Sequence, residues 1–155
     1  LTGDIQSYVS GEPIDMVVTL HACDVATDAA IVQAIGWDCR ILLTVPCCQH
    51  ELFSKIRNDR MKIMLKHGII KERFSALLTD SIRGQLLEAC GYDVNIMEFI
   101  SLEHTPKNIL IKAVRNGRPD RRKYEEYLDF ARDWQIRPYL EEELVRIGRI
   151  PARDK

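Results

Sequence analysis

The chain has 155 residues, with 22 basic and 23 acidic side chains for a formal net charge of −1. That balance excludes a strongly basic nucleic-acid coat and an acidic disordered tail, and 46% hydrophobic against 29% charged residues fits one globular domain with one core. No apolar run reaches the ~18 residues of a membrane span and no basic-then-apolar leader is read, while five cysteines, an odd number with Cys47 and Cys48 adjacent, point to a reducing, cytoplasmic setting rather than a disulfide framework.

The opening "LTGDIQSY" reads as the end of a strand running into a loop. Asp15–Leu20 and Cys39–Pro46 are short apolar runs of the kind buried on both faces of a parallel sheet. Between them "TDAAIVQAIGWD" has helical spacing at Ala30, Ile31, Ala34 and Ile35. Asp24 or Thr27 is placed to cap that helix and Gly36 to end it. Strand, helix and strand within about 30 residues make a right-handed βαβ unit. A mixed helical stretch over Glu51–His67 follows, closed by Gly68, and "IIKERFS" reads as a charged connector. A helix is expected over Ala76–Cys90, with Leu78, Ile82, Leu86 and Ala89 on one face and Gly91 as its stop. Val94–Ile100 and Asn108–Val114 read as strands paired antiparallel across "SLEHTPK", with His104 in the turn. The composition shifts at Asn116–Pro119 to a charged helical tail. Its packing stripe is Tyr124, Tyr127, Leu128, Ala131 and Trp134, broken by Pro138 and resumed at Leu140, Leu144 and Ile147.

In open α/β sheets ligands sit beyond the carboxyl ends of the strands. There the chain places His21, Cys23, Asp24, Thr27 and Asp28 after its first run, and Cys47, Cys48, Gln49, His50 and Glu51 after its second. Such a cluster suits a catalytic cleft: His for proton transfer near neutral pH, and Cys as a nucleophile once ionised. His21, Cys23, Cys47 and His50 also offer a tetrahedral N₂S₂ metal set, although H-x-C…C-C-x-H is not the spacing of a known zinc module. The plain alternative is that these cysteines fill strand ends as small buried residues. Lys71, Glu72, Arg73 and Arg83 are placed to meet a phosphate or to form a solvated helix face. No G-x-G-x-x-G and no Walker A sequence occurs.

"DMVVTLHACDVATDAAI…ILLTVPCCQHEL" resembles the central part of a class I S-adenosylmethionine (SAM) dependent methyltransferase family, the subgroup with an LHACD.ATD block after the fourth strand and a PCCQHEL block after the fifth. It is similar to the methyltransferase-like part of the glutathione S-transferase C-terminal domain-containing proteins and to eukaryotic tRNA acceptor-stem 2′-O-methyltransferases. "KERFSALLTDSIRGQLLEACGY" and "EFISLEHTPKNILIKA" carry the resemblance on, over about Gly3 to Ala113. That family has strand order 3-2-1-4-5-7-6 with strand seven antiparallel. The resemblance therefore implies an α/β fold: the C-terminal half of a Rossmann-like methyltransferase sheet, strands 4, 5, 6 and 7, plus a helical tail. Residues 1–116 would be a partial methyltransferase domain without the N-terminal SAM-binding strands, and 117–155 a helical extension.

The resemblance also implies roles. Asp4 and Ile5 would contact adenine, and Leu20 and His21 would lie near the methionine end of SAM. Cys23, Asp24, Thr27, Asp28, Cys47, Cys48 and His50 would face the acceptor, with His21 or Asp24 as base and His50 next. RNA cytosine-5 methyltransferases, which use a covalent cysteine after equivalent strands, offer an alternative through Cys23 and Cys47. The implied activity is methyl transfer to an acceptor, RNA among the candidates, with this chain alone inactive; the alternative is a catalytically retired interaction module. A fourth strand without its first-strand neighbour would expose a sheet edge and an apolar face, so self-association through that edge is expected.

Overall fold

The structure is a computed structural model that describes residues 5, 8–20, 22–99 and 108–153. The expectations for Asp4, His21 and His104 fall outside the described residues. The elements are β1 (Met16–Leu20), α1 (Val25–Gly36), β2 (Ile41–Val45), α2 (Glu51–Lys55), α3 (Lys62–Leu65), α4 (Gly68–Ala89), β3 (Tyr92–Glu98), β4 (Ile109–Arg115), α5 (Arg121–Asp133) and α6 (Tyr139–Arg146). The four strands form one sheet in the order β1-β2-β4-β3. β1 and β2 run parallel, with Val18 opposite Leu43. β4 runs antiparallel to both its neighbours, Leu42 facing Ala113 on one side and Val94 facing Ala113 on the other. This is the expected mixed α/β sheet with the last strand inserted antiparallel, the 4-5-7-6 order of the partial Rossmann-like fold.

The apolar runs became strands within a residue or two of their expected limits, and the βαβ unit is present. The segment after β2 differs. Glu51–His67 is broken into α2, a 3-10 turn at Asp59–Met61 and α3. "IIKERFS" is no connector: α4 begins at Gly68 and runs 22 residues, so the charged stretch forms its first two turns. Those turns are largely exposed and carry no sharp apolar stripe, which is why periodicity alone starts the helix at Ala76.

One face of the sheet carries Leu42, Ile111 and Ala113, all fully buried under α1 and α4 in a core shared with Ile31, Ile35, Ile82 and Leu86. α4 packs against β3 at Gly84, where a Cβ would stand 3.2 Å from Ile96 Cδ1. The tail joins the same core. α5 packs on α4 and α6 on α1, burying Tyr124, Tyr127, Trp134, Leu140 and Leu144 as their stripe predicts. Glu141, fully buried in α6, is held by the Tyr127 hydroxyl at 2.7 Å and by the Arg153 guanidinium. The opposite face of the sheet shows Met16, Val18, Leu20, Ile41 and Val114, each more than a third exposed. Among the described residues no helix is long and apolar enough to cross a membrane.

Candidate functional site at the carboxyl ends of the parallel strands

β1 and β2 end side by side, so the loops after them, 22–24 and 46–50, lie together. Backbone and side chain tie the two loops. Asp24 donates its N–H to the Cys48 carbonyl at 3.1 Å, and its Oδ1 accepts from the His50 and Glu51 amides at 3.0 and 3.1 Å. Asp24 stands at the N-cap position of α1 but makes no side-chain cap bond there; its carboxylate serves the start of α2 instead. Its φ of 48° with ψ of −118° is unfavourable for an L residue, and strain of this kind persists only where the surroundings fix it. Thr27, fully buried, donates to the Ala22 carbonyl at 2.7 Å and so also holds the first loop.

This clamp brings three sulfurs together. Cys23 Sγ and Cys47 Sγ are 3.6 Å apart, and the sulfurs of Cys23, Cys47 and Cys48 all lie within 4.8 Å of one another. Cys23 is exposed and the other two half-buried, and all three are thiols rather than disulfides. Burial pushes the Cys47 thiol up to about 11, helped by its hydrogen bonds to Cys23 and Cys48. Of the N₂S₂ set that the sequence offers as one alternative, Cys23 and Cys47 stand together and Cys48 joins them, while His21 lies outside the described residues. His50 stands exposed at the start of α2 and borders the neighbouring cleft instead.

Asp28 does not face that opening. It is 2% exposed, and both its oxygens are engaged by Arg83, at 2.7 Å from Nε and 3.1 Å from Nη2. Arg83 also donates to Asp80 Oδ1 at 2.9 Å and to the Asp24 carbonyl at 2.9 Å. Asp80 Oδ2 accepts from Gln49 Nε2 at 3.0 Å. Arg83 is thus neither a phosphate contact nor a solvated side chain; it locks α4 to α1 and to the cysteine loop. Sequence reasoning found Arg83 and Asp28 but not their pairing, because 55 positions separate them and no local pattern signals it. Burial raises Asp80 to about 6, against the lowering influence of Arg83 and the Gln49 hydrogen bond.

Beside the loops opens a cleft of about 450 Å³, bordered by Pro46, His50, Arg73, Leu77, Asp80 and Ile109. Ile5 is half-buried, and its carbonyl accepts from the Tyr8 amide at 3.3 Å. Leu20, 63% exposed, ends the edge strand β1 next to the cysteine loop. An apolar side chain presented there is chemically compatible with the body of a cofactor such as SAM.

No curated protein matches the chain, and no solved structure matches it. Residues 2–55, about a third of the chain and the segment that holds β1, α1, β2 and all three clustered cysteines, match the family model described as a methyltransferase domain.

Proposed function

We propose that this chain forms the acceptor side of a SAM-dependent methyltransferase. The observation that carries the proposal is the methyltransferase-domain match over residues 2–55, the segment whose two loops meet at the carboxyl ends of β1 and β2. The order β1-β2-β4-β3, with β4 antiparallel, supports it. When bound, SAM supplies a sulfonium methyl group as an electrophile for in-line displacement, a reaction in which alignment lowers much of the barrier. Leu20 and Ile5, with Asp4 and His21, would hold the cofactor. Cys23, Cys47, Cys48 and His50 would face the acceptor, for which an RNA strand is the first class to test. Asp24, Thr27 and Asp28 hold the loops rather than the acceptor.

Asp24 Oδ1 is committed to two amides, so Asp24 is a positioning residue, and proton removal from a hydroxyl or amine acceptor would fall to His21 or to His50 at the rim of the cleft. A Cys47 thiol pushed up to about 11 is a poor nucleophile at neutral pH, which favours direct transfer over covalent attack through that cysteine. The test is calorimetric titration of S-adenosylhomocysteine into the natural full-length protein. One-to-one binding that is lost in Leu20→Asp is the expected result. No binding by a protein that circular dichroism shows folded would overturn the proposal in favour of a retired interaction module.

A further inference from the structure

We infer that Cys23, Cys47 and Cys48 form a binding site for one thiophilic divalent cation, zinc(II) by preference, held by three thiolates. In tetrahedral zinc thiolates a Zn–S bond of ~2.3 Å sets neighbouring sulfurs about 3.8 Å apart. Cys23 and Cys47 already stand at 3.6 Å, and the third sulfur lies within 4.8 Å of both. The set closes around an ion with sub-ångström adjustments of each sulfur.

The surroundings are built to hold this arrangement. The Asp24 clamp joins the two loops by three hydrogen bonds. Thr27 fixes the Ala22 carbonyl, next to Cys23, from below. The Arg83 bond to the Asp24 carbonyl anchors the same loop to α4. A disulfide would need only two of these cysteines and leaves the third without a purpose, whereas a metal uses all of them. Sulfur donors select zinc(II) or copper(I) over magnesium or calcium. On binding, each thiol forms one S–metal bond and loses its proton to solvent, so three protons leave per ion and affinity rises with pH. Among the described residues the cluster supplies three ligands, so the fourth tetrahedral position would fall to a further group.

The inference stands on sulfur geometry and not on methyl transfer. A protein that binds the ion but no S-adenosylhomocysteine would leave it intact. The test is cobalt(II) titration of the reduced, metal-stripped protein, followed by displacement with zinc(II). The expected result is one cobalt per chain, with a near-ultraviolet thiolate-to-cobalt charge-transfer band that zinc abolishes. Cys47→Ser and Cys48→Ser should each weaken binding by more than the ~10–100-fold that loss of an outer-shell partner costs. Cys90→Ser, remote from the cluster, should bind as the parent does. Absence of the band from a protein with native circular dichroism would overturn the assignment. So would equal cobalt affinity in Cys48→Ser and the parent, or a Cys23–Cys47 disulfide that, once reduced, still refuses cobalt.

Discussion

Arg83 carries more of the site than any cysteine does, although it touches neither the cleft's opening nor the sulfurs. A guanidinium 1% exposed is tolerable only because its donors meet two carboxylates and one carbonyl. Removing it in Arg83→Met strands two buried carboxylates, and urea unfolding should show a loss of about 3–5 kcal/mol. Asp80 adds a pH dependence. Burial raises its folded pKa to about 6 from the ordinary 3.8, so the native state holds its proton more tightly. Asp80's contribution is therefore full below pH ~4 and lost as pH rises through ~6, by up to about 3 kcal/mol. The stability advantage of the parent over Asp80→Asn should shrink by that order between pH 4 and 7, and a constant difference would show that Asp80 does not titrate in that window. Asp24 is tested at the same scale. Asp24→Ala, losing both amide bonds, should cost about 1–3 kcal/mol, while Asp24→Asn, which keeps an acceptor oxygen, should recover most of it.

Among the elements, the two close glycines should respond with opposite signs. At Gly84, in mid-α4, an added Cβ is tight only against the tip of Ile96, a side chain 42% exposed and free to turn aside, and meets Val94 Cγ1 at an ordinary 3.7 Å. Gly84→Ala should therefore gain up to about 1 kcal/mol of helix propensity. Gly91 has φ of +90°, and a Cβ there would stand 3.0 Å from the backbone nitrogens of Arg118 and Pro119. Gly91→Ala should cost more than about 1 kcal/mol, read by thermal unfolding. The same elements show what a sequence can carry. Strands β1, β2, β3 and β4 are legible because each is a compact apolar or alternating run, and the tail helices because their tyrosine, tryptophan and leucine stripe keeps helical spacing. The start of α4 is not legible, since its first two turns face solvent and periodicity has nothing to register there. In the site, the gathering of Cys23, Cys47 and Cys48 follows from parallel pairing of two strands that the apolar runs announce. The Arg83 hub follows from how α4 and α1 are both set against the covered face of the sheet, and that is fixed only by the whole core.

For the molecule as a whole, the decisive feature is a sheet covered by helices on one face. The covered face buries Leu42, Ile111 and Ala113 completely, while the other offers Met16, Val18, Leu20, Ile41 and Val114 to solvent. Among the described residues β1 is also an edge strand, with no strand paired to its outer side. The strand itself does not blunt that edge: Met16–Leu20 contains no charge and no proline. An apolar face joined to a bare edge is the combination that soluble monomers avoid. The proposed consequence is self-association of this chain through β1. Val18 sits at the middle of the strand and is 50% exposed, opposite Leu43 in the sheet. Val18→Lys places a charge at the centre of that edge without disturbing the buried face. Sedimentation velocity at tens of micromolar should show oligomers for the parent and a shift toward monomer for Val18→Lys, with circular dichroism unchanged. A parent that sediments as a monomer over that range would show that the edge does not self-associate, and an oligomer untouched by Val18→Lys would move the contact to another surface.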